Sequence, residues 1–191
     1  LTPTNNLTVR WTGHFLTRDF EAFLGLMTSE GIDDFFDALV NFGVGGQNWV
    51  GADVAGEIAY FPHTKVPVRS AAALTEAHPP YMPYPGTGGY EWEQNPDGSP
   101  RFRSPDQIPQ ARNPARGWLV TANNDVNGST LDNDPLDEGA YLYYDVNIGF
   151  RGGRISALLT GLESEERNLA KMQEVQGDHR LMPAERLRAF F

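Results

Sequence analysis

Hydrophobic and polar positions change period several times along this chain, and each change marks a predicted element. Leu7-Thr8-Val9-Arg10-Trp11-Thr12-Gly13 alternates and is rich in β-formers, which predicts a strand. His14 to Met27 mixes aromatic and polar residues at helical spacing, with Thr17 or Asp19 as the cap. Ile32 to Phe42 has a stronger stripe of Ile32, Phe35, Phe36, Leu39 and Val40, with Asp33, Asp34 and Asp37 towards its start, and predicts a helix whose stripe is core. Gly43 to Gln47 predicts a flexible connector. Asn48 to Phe61 predicts a hairpin: a strand to Asp53, a turn over Val54-Ala55-Gly56, and a return strand from Glu57. Asp53 is placed to accept backbone hydrogen bonds in that turn.

Periodicity then stops. Pro62 to Pro114 contains most of the prolines, yet Tyr81, Tyr84, Tyr90, Trp92 and Phe102 are too many aromatic residues for a disordered linker. The expectation is an ordered excursion, made less costly to order by fixed proline φ angles. The apolar run Trp118-Leu119-Val120-Thr121-Ala122 suits a buried strand ending at Asn123 and Asn124. Leu136 to Phe150 is aromatic-rich, and Gly149, Gly152 and Gly153 bracket Arg151. Arg154 to Leu162 predicts a helix. Glu163 to Gln176 predicts a polar helix or turn, and Pro183 opens a short final helix over Ala184 to Phe191. The terminal pair Phe190-Phe191 predicts an edge that packs on more protein. The chain is read as one piece with stretches 1–61, 62–116 and 117–191.

Composition narrows the classes. The 191 residues allow one sizeable core, and 40% hydrophobic with 12% aromatic content fits a globular protein. A net charge of −10 without a basic face argues against a nucleic-acid partner. The absence of cysteine excludes disulfides, thiolate chemistry and cysteine-ligated zinc. No apolar run reaches membrane-spanning length.

Self-sufficient chemistry is hard to find. There is no G-x-S-x-G elbow and no H-E-x-x-H, and His14, His63, His78 and His179 are scattered singly. The glycines of 43–46 lack the endings that phosphate loops need. Asp125 to Asp134 is dense in oxygen ligands that suit Ca²⁺, but the spacing is not that of an EF-hand, so a solvated turn-rich loop and a metal site both remain open. Asn123, at the junction of a strand and a loop, can donate its amide to a developing oxyanion without carrying charge. Asn123-Asn124 can equally be a turn former.

Four ordered motifs favour the first alternative. They are N-W-V-x-A-D-x-x-G-x-I-x-Y at Asn48 to Tyr60, P-G-T-G-x-Y-E-W at Pro85 to Trp92, T-A-N-N at Thr121 to Asn124, and R-x-x-R-I at Arg151 to Ile155. Together they resemble the penicillin acylase (penicillin amidase) family of N-terminal-nucleophile amidohydrolases. The resemblance runs from about Leu7 to the C-terminus and falls inside the catalytic β-chain. It implies an α+β fold, a portion of the αββα four-layer sandwich plus the proline-rich excursion. It also implies an acyl-enzyme formed on an N-terminal serine whose own amine is the base. Leu1 cannot be that serine, so the remaining acylase segments, the α-chain and the start of the β-chain, are implied partners.

Residue by residue, the resemblance makes Asn123 the oxyanion-hole amide and Arg151 an arginine near the nucleophile's amine, with a surface salt bridge as the alternative for Arg151. Leu26 and Met27 become pocket candidates with core packing as the alternative. Gln47 stands where some relatives carry an apolar pocket residue, and Ala122 where some carry an aromatic one, which argues for an acyl group other than phenylacetyl. A structural Ca²⁺ would take Asp134 and the Pro80 carbonyl, with Asp132 the alternative to Asp134; its other ligands lie outside the chain, so these residues make a partial site. No cofactor is implied for catalysis. The substrate is a small-molecule amide, and the setting implied is periplasmic or secreted. The rival reading is a non-catalytic extracellular binding module that uses the acidic loop and the aromatic residues from Tyr81 to Trp92.

Overall fold

A computed structural model describes residues 6–62, 64–125, 141–142 and 146–190. Their contacts fall into two compact units, Leu1–Arg69 with Trp92–Asn113, and Ser70–Glu91 with Pro114–Phe191. Helices and a small antiparallel sheet together make the class α+β. Among the described residues no helix is long and apolar enough to cross a membrane.

The first unit holds α1 (Asp19–Thr28), α2 (Ile32–Leu39) and a sheet ordered β1-β2-β3, from Trp49–Ala52, Ile58–Phe61 and Ala111–Arg112. The apolar stripe of α2 turns inward as its spacing predicts, and Leu39 joins Ala22, Phe42 and Phe61 in the core. The two helices approach closely because residue 25 is glycine: a Cβ there would lie 2.8 Å from the Ala38 Cβ. Asp19, at the first position of α1, accepts from the Gly43 and Val44 N–H groups and from the Thr17 hydroxyl, which ties the glycine-rich connector to the helix start. Burial pushes this carboxyl up, but those hydrogen bonds and nearby Lys65 outweigh it, so it titrates below its ordinary value.

The predicted hairpin forms, with Trp49 opposite Phe61 and Ala52 opposite Ile58. Asp53 accepts from the Glu57 N–H at 2.9 Å, and Gly56 takes the positive φ of 88° that closes the turn. β2 is the central strand, and its Ala59, Tyr60 and Phe61 are buried. The third strand is only two residues long, too short to leave a period in the sequence; Arg112 within it pairs with Glu57 and Asp33.

The proline-rich stretch is ordered, and its residues are shared between the two units. In the first, Val68 N–H donates to the Arg101 carbonyl at 2.9 Å and Glu93 N–H to the Val68 carbonyl at 2.8 Å. In the second, the Tyr84 and Tyr90 rings stack nearly parallel at 5.2 Å. Proline leaves too few N–H groups for regular ladders, so isolated bridges such as Pro67 to Phe102 replace them.

Two predicted strands are not seen among the described residues. Residues 7–11 and 117–122 have no ladder partner among the described residues, and Leu7 and Val9 are exposed. Alternation and β-propensity select an extended backbone, but a strand exists only when a neighbour completes its hydrogen bonds.

The second unit carries α3 (Phe150–Thr160), α4 (Leu169–Gln176) and α5 (Met182–Leu187). α3 starts four residues earlier than its apolar face suggests, so Arg151, Gly152 and Gly153 lie in its first turn rather than in a loop. Gly149, with φ of 79°, turns the chain into the helix, and its carbonyl accepts from the Gly153 N–H at 2.7 Å. Asn168 caps α4 by accepting from the Lys171 N–H at 3.1 Å, and Pro183 occupies the first turn of α5.

Candidate active site

The segment before Asn123 is irregular, and its end is defined by side chains. Ala122 is buried, while Asn123 is exposed with a φ of 58°, a left-handed conformation that Asn tolerates better than most residues. The Asn147 N–H donates to the Asn123 carbonyl at 2.7 Å, and Asn124 and Asn147 form a parallel bridge. The bend is thereby tied to the residues that lead into α3.

Arg151 reaches the bend from the first turn of α3. Its Nη2 donates to Asn123 Oδ1 at 2.7 Å and to the Ala122 carbonyl at 2.8 Å. A guanidinium offers donors only, so the amide oxygen must face it and the amide nitrogen must face away. Among the described residues the Asn123 Nδ2 has no hydrogen-bond partner. The geometry therefore leaves an oriented, uncharged donor at the surface, with a fixed positive charge behind it.

A cleft of about 830 Å³ lies within the second unit, lined by Arg151 but not by Asn123. Thr121, Asn147 and Arg151 form its polar rim, and Ile155, Leu158 and Met172 contribute apolar wall. Arg154 and Asp178 also line it, joined by paired hydrogen bonds of 3.2 and 2.7 Å. The hydrogen bonds from Arg154 hold the Asp178 carboxyl below its ordinary range, so both groups stay charged at neutral pH. That pair links α3 to the chain after α4 and supplies no free acid or base.

Of the other predicted residues, Leu26, Met27 and Gln47 belong to the first unit and Pro80 to the second. Leu26 is partly buried against the core of the first unit, Met27 is exposed on α1, and Gln47 is exposed in the connector. Pro80 sits in a turn of the second unit, where its carbonyl accepts no hydrogen bond among the described residues. Asp132 and Asp134 lie outside the described residues, as does most of the acidic loop. Among the described residues no group of three or more His, Asp or Glu side chains converges as a metal site. His78 contacts the Tyr90 ring and hydroxyl, which accounts for it structurally.

Sequence reasoning passed over Asn124, Asn147 and Gly152, which surround the bend. The only signals for them were the Asn-Asn doublet and the paired glycines, and both also suit ordinary turns.

The penicillin amidase family matches residues 2–191. The structure is similar to a thermostable penicillin G acylase from Alcaligenes faecalis in an orthorhombic form, at 25% sequence identity and a TM-score of 0.56. That match covers 83% of this chain but 24% of the acylase chain, so the chain spans about a quarter of the relative's length. The chain belongs to the penicillin amidase family.

Proposed function

We propose that this chain is part of an amidohydrolase that cleaves linear amides through an acyl-enzyme, with Asn123 as the oxyanion donor. The observation that carries the reading is the bond from Arg151 Nη2 to Asn123 Oδ1 at 2.7 Å, which turns the amide N–H groups outward. The attacking serine comes from a segment outside this chain, and its α-amine takes the hydroxyl proton. As the carbonyl carbon becomes tetrahedral, negative charge moves to its oxygen and the Asn123 Nδ2 donates to it. Arg151 holds that donor in orientation and adds positive potential at the same place. Collapse expels the amine, and water releases the acid from the acyl-enzyme.

The described elements would form part of an αββα sandwich completed by other segments of the same enzyme. A β-lactam side chain, an N-acyl homoserine lactone or an acylated peptide fits the amide chemistry. Gln47 and Ala122 favour an acyl group other than phenylacetyl. A structural Ca²⁺ would take the Pro80 carbonyl and Asp134, or Asp132, and the setting would be periplasmic or secreted.

The test is Asn123→Ala in the complete acylase polypeptide. Loss of one oxyanion donor should lower kcat by on the order of 10²–10³ with folding intact. Near-normal turnover would remove the assignment.

A further inference from the structure

We infer that Asn124 is a positioning residue that holds Asn123 in its working conformation, and that Gly152 is glycine to make room for it. The inference rests on the oxyanion role proposed for Asn123. Asn124 spends its side chain on the backbone to either side of Asn123. Its Oδ1 accepts from the Ala122 N–H at 3.0 Å, and its Nδ2 donates to the Asp125 carbonyl at 3.0 Å. The two bonds straddle the left-handed bend at Asn123, where φ is 58°.

Asn visits that conformation more readily than other L-residues but does not prefer it, so neighbouring contacts decide whether it stays there. Here the determinants are the Asn124 side chain, the Asn147 N–H on the Asn123 carbonyl, and Arg151 on the Asn123 amide. Only the last touches the reactive amide, so Asn124 acts through Asn123 and not on a substrate.

Gly152 completes the arrangement. It is buried in the first turn of α3, and a Cβ there would lie 2.9 Å from Asn124 Oδ1 and 3.1 Å from Asn124 Cγ. Those are the atoms at the accepting end of the clamp, so any side chain at 152 would push the amide off the Ala122 N–H. Glycine inside a helix turn is otherwise a poor choice, and the close approach to Asn124 is a physical reason for it.

The test uses the complete acylase polypeptide, a panel of chromogenic N-acyl anilides, and the variants Asn123→Ala, Asn124→Ala and their combination. Asn124→Ala is expected to lower kcat by on the order of 10²-fold with KM within about twofold, because it misplaces the donor without removing a substrate contact. The double variant is expected to be no slower than Asn123→Ala, since a clamp has nothing left to position. Full turnover in Asn124→Ala, or losses that multiply in the double variant, overturns the inference while leaving the oxyanion reading intact. Near-normal turnover in Asn123→Ala overturns that reading and this inference with it. If Asn124→Ala does not fold, Gly152→Ala decides in its place. Alanine favours the helix, so a kcat loss that disappears in the Asn123→Ala background supports the clamp, and unchanged kcat overturns it.

Discussion

Arg151 Nη2 bridges the Ala122 carbonyl and the Asn123 side chain, at 2.8 and 2.7 Å. One nitrogen, with two N–H groups in a fixed plane, thus joins the backbone and the side-chain amide of the bend to α3. The arrangement depends on guanidinium geometry as well as charge. A lysine ammonium is compact, strongly hydrated and carried on a flexible stem, so it holds two acceptors with less precision.

Arg151→Lys should therefore keep the positive charge and still lose rate. The expected change is a fall in kcat of about 10–100-fold, the scale of misplacing a catalytic donor by roughly 1 Å. Steady-state kinetics on an amide substrate in the complete polypeptide reads this directly. Unchanged kcat in Arg151→Lys would show that charge alone suffices and that the bridging geometry is incidental.

Asp19 carries a pH prediction. Its carboxyl is held below its ordinary value, and in the unfolded chain it titrates near the usual aspartate value of about 3.9. A depressed folded-state value means that the stabilisation is fully present above the unfolded value and is lost as pH falls through the folded one. Asp19→Asn should be less stable than the parent protein at neutral pH, and the gap should close below about pH 4. Denaturant melts across that range measure it. A gap that stays constant with pH would mean that the Asp19 charge contributes nothing to the tie with Gly43 and Val44.

Gly25 sets helix propensity against packing. Gly25→Ala gains about 1 kcal/mol of helix propensity, but its Cβ would lie 2.8 Å from the Ala38 Cβ. Overpacking of this kind costs about 1–3 kcal/mol, so the variant should be neutral to destabilised by about 2 kcal/mol. The double variant Gly25→Ala/Ala38→Gly removes the overlap and should recover part of the loss. A clear rise in the melting temperature of Gly25→Ala alone would show that α1 and α2 can separate at little cost.

The hairpin and the α2 stripe were legible because their determinants are local. Asn48 to Phe61 carries its own turn chemistry in Asp53 and Gly56, and the spacing of Ile32, Phe35, Phe36 and Leu39 needs no distant partner to be read. β3 was not legible, because two residues carry no period and Ala111–Arg112 pair with β2 across a long loop. The strands predicted at residues 7–13 and 118–122, which find no ladder partner among the described residues, fail for the complementary reason. Their patterns are adequate, but pairing is a property of two segments and one sequence window contains only one of them. The start of α3 was misplaced because Gly152 and Gly153 read as a loop, and the contact that excludes a side chain at 152 comes from Asn124, 28 residues earlier in the chain.

What the sequence determined by itself was the family, the α+β class, the local elements with strong periods, and the candidacy of Asn123 and Arg151. Ordered motifs and side-chain chemistry are written residue by residue, so they survive without coordinates. The tertiary structure decided which edge of the Asn123 amide faces outward and which neighbours hold the bend. It also decided that, among the described residues, the apolar run before Asn123 has no ladder partner. Those outcomes depend on Arg151, Asn147 and Gly152 arriving from α3 and the residues before it. A hydrogen bond between residues 28 positions apart is directional and short-ranged, so only the folded backbone brings its donor and acceptor together.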